Sequence, residues 1–83
     1  MAEKEIGSII TYFSHIEVAA IKLKGALKVG DEIHIKGHTT DFTQIVDSIQ
    51  IDRKEVEKAK KGDEIGIKVV DKVRDSDSVY LVS

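Results

Sequence analysis

"EIHIK", residues 32–36, decides the fold class. Ile33 and Ile35 alternate with Glu32, His34 and Lys36, so successive side chains point to opposite faces and only one face is apolar, the period of a half-buried strand. "EIGIKVV" (64–70) repeats the pattern, with Ile65, Ile67 and Val69 on one side and Gly66 and Lys68 on the other. Shorter apolar runs at "IGSIITYF" (6–13), "VAAIKL" (18–23), "DSIQI" (47–51) and "SVYLV" (78–82) bring the expected strands to about six. Polar turns separate them at the spacing of a small all-β sandwich or barrel, and Gly25, Gly30, Gly37 and Gly62 punctuate the chain. The expected fold is all-β: one closed or nearly closed antiparallel β-barrel over residues 1–83, with 1–5 as a flexible N-terminus.

Two stretches are harder to place. "DRKEVEKAKK" (52–61) is rich in helix formers, and Glu57 precedes Lys61 by four residues. Its only apolar residues, Val56 and Ala59, make too narrow a stripe to anchor a helix, so it reads as a strand end and a turn. In the strand before it, Phe42, Gln44 and Val46 share one phase while Ile49 and Ile51 hold the other. Either a bulge near Asp47 and Ser48 lets Val46 and Ile49 both face inward, or an unbroken strand buries Ile45, Ile49 and Ile51 and leaves Val46 outside.

Composition narrows the function classes. Apolar residues make up 41% and charged residues 34% of the 83, which suits a globular domain with a salted surface. The net charge of −2 provides no global basic field to draw in nucleic acid or an anionic membrane, so any RNA contact must be local. No apolar run approaches the ~18 residues of a membrane span, and "MAEKEIGSIITYF" lacks the basic start and long apolar stretch of a signal peptide. Zero cysteines exclude disulfides and thiolate sites. A cytoplasmic location and no membrane partner are expected, and abundant Lys and Glu with one Met points to a hot source.

"LKVGDEIHIKG" (27–37), followed by "VDSIQIDRKEVEKAKKGDEIGIKV" (46–69), resembles the second domain of translational GTPases, the β-barrel after the nucleotide-binding domain in elongation factor Tu and its relatives. The resemblance rests on Gly30-Asp31 turning the chain into one strand and on Ala59, Gly62-Asp63 and Gly66 repeating the device. It implies a stand-alone barrel. No G-x-x-x-x-G-K-[ST] loop is present to cradle phosphates, so neither GTP binding nor any cofactor is expected. His15-Ile16-Glu17 stands where those factors carry a glycine-arginine-glycine turn. There a glutamate three residues before an Arg-Lys pair helps line the pocket for the acceptor end of aminoacyl-tRNA; here Arg53-Lys54 is the pair and Gln50 holds the glutamate position.

Catalytic chemistry has few candidates. Ser14-His15 with Glu17 contains the residue types of a nucleophilic triad, but neighbours in an extended turn point apart. His34, His38 and Asp41 are the donors of a possible metal site, although His34 sits on a strand and His38 in the loop after it. "GHTTDFTQ" (37–44) is the tip of a hairpin, where Phe42 packs inward and Thr39 and Asp41 satisfy the turn, or where Lys36, His38, Thr39, Thr40 and Phe42 form a contact surface, with Tyr12 and Phe13 nearby. The expected function is a non-catalytic, translation-linked module contacting tRNA or ribosomal RNA through Lys36, His38, Thr39, Thr40, Phe42, Gln50, Arg53 and Lys54. Docking onto a translation-related protein is the alternative, and a histidine-based metal or hydrolytic site the third.

Overall fold

Every alternating run becomes a strand. The computed structural model describes residues 3–82, which form β1 (Glu3–Phe13), β2 (Val18–Leu23), β3 (Leu27–Lys28), β4 (Glu32–Lys36), β5 (Asp41–Ile45), β6 (Ile49–Ile51), β7 (Lys54–Val56), β8 (Lys58–Ala59), β9 (Glu64–Lys68) and β10 (Ser78–Val82). No helix occurs among the described residues, so none is long and apolar enough to cross a membrane. "DRKEVEKAKK" becomes a tight turn followed by β7 and β8. β1 starts at Glu3, and Glu3–Glu5 pair with Val82–Tyr80; of the expected flexible residues, Met1 and Ala2 lie outside the described ones.

Eight strands form one antiparallel sheet in the order β5-β4-β10-β1-β2-β9-β6-β7, and β3 pairs with β8 in a separate ribbon. The inward phase is the one the alternation predicts: Ile33, Ile35, Ile65 and Ile67 are all at most 2% exposed, packed with Ile6, Ile9, Ile21, Leu23, Val46, Ile49 and Val79.

The strands are all-β and antiparallel as expected, but the ladder does not close, which corrects the expectation of a closed or nearly closed barrel of about six strands. β5 and β7 are the two ends of the sheet among the described residues. One side chain spans the seam. The Gln44 amide donates to the Lys68 carbonyl and accepts from the Val70 N–H, both at 2.9 Å, so a polar residue on the inward phase of β5 ties it to the exit of β9.

The stretch 42–51 is two strands, not one. Val46 and Ile49 are both buried and Ile45 is half exposed, as the bulged alternative requires, but no bulge could place β5 beside β4 and β6 beside β9. Two apolar residues of opposite phase face inward together because the chain leaves the sheet between them. Val46 holds the crossing by donating to the Asp31 carbonyl and accepting from the Gly30 N–H, each at 2.9 Å.

One turn is built three times. At 28–31 the Asp31 N–H donates to the Lys28 carbonyl while the Asp31 carboxylate accepts from the Lys28 N–H, with Gly30 at φ 98°. At 60–63 Lys60, Gly62 (φ 96°) and Asp63 repeat it. The pairing of Leu27 with Ala59 sets these two turns beside each other. The third copy, Arg74 to Asp77, makes the same two bonds but has Ser76 at φ 73°. A β-carbon in this left-handed region costs roughly 1–2 kcal/mol, partly offset by the greater unfolded-state freedom of glycine. Ser76→Gly is therefore expected to stabilise the fold by about 0.5–1 kcal/mol in denaturant unfolding; a loss of stability would show that the serine hydroxyl supports the turn.

Candidate functional site at the loop pole

Three connections converge beyond the strand ends: residues 14–17 between β1 and β2, 37–40 between β4 and β5, and 69–77 between β9 and β10. Hydrogen bonds fix the long one against the others. The Val69 N–H donates to the Glu17 carbonyl at 3.0 Å, and on β1 the Ile9 N–H donates to the Asp77 carbonyl at 2.8 Å while its carbonyl accepts from the Ser76 N–H at 2.9 Å. Gln44 holds Lys68 and Val70.

Two clefts flank the long connection and share Asp71 and Lys72 in their walls. The first, about 390 Å³, is lined by Thr39, Thr40, Asp41 and Phe42 from the hairpin and by Arg74 opposite them. The second, about 330 Å³, is lined by Tyr12, Ser14, His15, Glu17 and Val70. A larger cleft of about 620 Å³ shares no residue with these two; it lies between the β3–β8 ribbon and β6–β7, over Val29, Ile49 and Val56.

Next to the first cleft, on the outer face of the sheet, His34 is held between two carboxylates. Its Nδ1 lies 2.8 and 3.0 Å from the two Glu3 oxygens, and its Nε2 bonds Asp41. The side chain is only 15% exposed and lies beside Tyr80, its partner on β10. The bond to Asp41, then that to Glu3, raise the His34 pKa above the ordinary 6.5. The same bond lowers that of Asp41. Only an imidazolium has two N–H groups to donate, so both contacts exist together only in the charged form.

The structure brings together part of the expected surface. Thr39, Thr40 and Phe42 line the first cleft, Thr40 buried and Phe42 packed on the core. Lys36 ends β4 opposite Asp41, and His38 is exposed outside the cleft wall. Asp41 bonds His34 rather than the turn. Gln50, Arg53 and Lys54 belong to the β6–β7 hairpin, and none of them lines the first cleft. Lys22 is paired with Glu64 and Lys24 with Glu5. No group of three metal donors occurs among the described residues, and no hydrogen bond joins Ser14, His15 and Glu17, although all three line the second cleft. Tyr12 lies in that second cleft, beside the hairpin's cleft rather than in it.

Lys72, Arg74 and Asp77 were not legible as site residues. The signal was present: Arg74-Asp75-Ser76-Asp77-Ser78-Val79 follows the scheme of Lys28-Val29-Gly30-Asp31-Glu32-Ile33, obscured by serine in place of glycine.

Comparison with known proteins points away from translation. No family model matches the chain. It is 44% identical over 79 residues to an uncharacterized protease of Methanocaldococcus jannaschii, which covers 94% of this chain and 19% of that protein. It is 46% identical over 77 residues to a collagenase of Porphyromonas gingivalis, covering 90% of this chain and 21% of the relative. The chain thus spans about a fifth of the length of the curated relatives it matches. Among solved structures it superposes on the C-terminal domain of a Geobacillus thermoleovorans protein classed with the U32 peptidases, with a TM-score of 0.91, 18% identity, and coverage of 96% of this chain and 93% of that one. The selenomethionine form of the same domain gives a TM-score of 0.87 at 19% identity, covering 92% of this chain and 96% of that one.

These matches correct the resemblance to the second domain of translational GTPases. The expectations built on it, a non-enzymatic RNA-binding module with docking to a translation-related protein as its alternative, give way to relatives named as protease and collagenase. The resemblance misled because it rested on glycine-aspartate turns feeding alternating strands. Any small β-fold can use that device, since it answers a backbone requirement rather than a functional one.

Proposed function

We propose that this chain is a C-terminal domain of a longer peptidase of the U32 kind, acting with the rest of that protein on polypeptide substrates. The observation that carries the reading is identity of 44–46% across nine-tenths of the chain to proteins named as protease and collagenase. The superposition on a peptidase C-terminal domain supports the same placement. A cytoplasmic location belongs to this proposal.

In this reading the domain takes part in the longer protein's action on its polypeptide substrate. Binding that is equal in the ground and transition states lowers KM without raising kcat. The longer protein, assayed on gelatin and casein with and without this domain, is expected to hydrolyse both when intact and to show a several-fold higher KM and similar kcat without it. An intact longer protein that cleaves neither substrate defeats the reading.

A further inference from the structure

The geometry points to the paired clefts of the loop pole as a recognition site for an extended peptide, with an acidic side chain or terminal carboxylate in the first cleft and an apolar side chain in the second. This rests on the peptidase reading and adds the chemistry that the domain selects.

Charge in the first cleft carries the first half. Its two acids are occupied and its two bases are not. Asp41 is bonded to His34, and the Asp71 carboxylate accepts the Lys72 N–H of its own loop at 2.7 Å. Lys72 and Arg74 form no ion pair among the described residues. A guanidinium and an ammonium from the residues that line this cleft with Thr39 suit a carboxylate.

Exposure carries the second half. Val70 is 73% exposed and Ile16 52% exposed, and the Val69–Glu17 bond sets their segments side by side. Val70 lines the second cleft with the half-buried Tyr12. Val70 and Tyr12 are the apolar surface of that cleft, among polar walls, and Ile16 lies outside its lining. Because the clefts lie on two sides of one loop, an extended chain crossing Asp71 and Lys72 can fill both. Side chains two residues apart on such a chain share a face and are separated by about 7 Å. Val70 and Tyr12 in the second cleft suit an aliphatic side chain of a peptide, which a nucleic acid lacks.

The test uses the isotope-labelled 83-residue chain and a capped probe, acetyl-Gly-Gly-Glu-Gly-Leu-Gly-Gly-amide, followed by amide chemical shifts. Shifts are expected at residues 39–42, 70–74 and Tyr12. Replacing the peptide glutamate by glutamine, or both Lys72→Gln and Arg74→Gln in the protein, is expected to weaken binding about tenfold, the value of a lost charge-assisted bond. Val70→Ser and a leucine-to-serine peptide should weaken it by matching factors. The glutamine peptide with an uncapped C-terminus shows which carboxylate is read: recovered affinity assigns the terminus, and unchanged weak binding assigns the side chain. No shift at these residues overturns the site, as do shifts driven by a single-stranded RNA in place of peptide, or shifts that follow protein concentration alone and so report a second copy. If the longer protein cleaves gelatin while the probe leaves these amides unmoved, the peptidase reading survives and this site does not.

Discussion

Replacing Gly37 by alanine is expected to cost roughly 2–4 kcal/mol, combining overpacking with a disturbed buried hydrogen bond, and to lower the melting temperature by about 10 °C or more for a domain of this size. A β-carbon at this position would collide with one carboxylate oxygen of Asp77 and lie 2.6 Å from its carboxyl carbon. Asp77 cannot simply turn away. It is 5% exposed, and its other oxygen accepts the Arg74 N–H at 2.8 Å, closing the third glycine-aspartate-type turn. Gly37 is also bound in its own turn, its N–H donating to the Thr40 carbonyl at 2.7 Å. Asp77→Ala alone should cost about 1–3 kcal/mol because the Arg74 N–H loses its acceptor. The combined variant should be more stable than the sum of the two losses by at least about 1 kcal/mol, since truncating Asp77 removes the clash. Strict additivity in urea unfolding would show that the two residues do not meet.

A second large effect is expected in the dependence of stability on pH, centred on Glu3, His34 and Asp41. The His34 pKa is raised in the folded state, so its contribution is complete below the ordinary value of 6.5 and is lost as pH rises through the folded value. Asp41 behaves oppositely. Its folded pKa is lowered, so its contribution is present above the ordinary value of 3.8 and is lost as pH falls through the folded value. The cluster therefore stabilises the fold most between these limits and fades on both sides. Once neutral, His34 retains one N–H and can donate to only one carboxylate, which releases the side chain of either Glu3 or Asp41. Thermal melts across pH 3–9 should show the alkaline decline disappear in His34→Gln, and the acid decline shrink in Asp41→Asn. An alkaline decline of equal size in His34→Gln would assign it to other groups.

Some of this was legible in the chain. The alternation of Ile33, Ile35, Ile65 and Ile67 identified the strands and their buried faces because side-chain period is a local property, set by the pleat wherever the strand lies. Gly30 and Gly62 announced their turns for a similar reason: the left-handed backbone is a requirement of one residue. The same turn at Ser76 went unread because serine is an uncommon occupant of that conformation. The interval 42–51 was ambiguous because its residues state two phases but not where the phase changes, and a bulge, a slipped strand and a crossing between sheet ends share that signature.

By itself, then, the sequence determined an all-β chain, the inward residues of its alternating strands outside 42–51, two of its three aspartate-closed turns and the absence of a phosphate-binding loop, all of which depend on residues within a few positions of one another. Tertiary structure alone decided that the sheet stays open between β5 and β7, with Gln44 tying β5 to the exit of β9. It also decided that His34 meets Glu3 across 31 residues, that Gly37 must accommodate Asp77 across 40, and that Thr39 and Phe42 face Lys72 and Arg74 over one cleft. These contacts depend on strand order. Many orders satisfy the same alternation, and what selects among them is how well a shared core fills and whether its polar groups find partners, a property of the whole chain rather than of any segment.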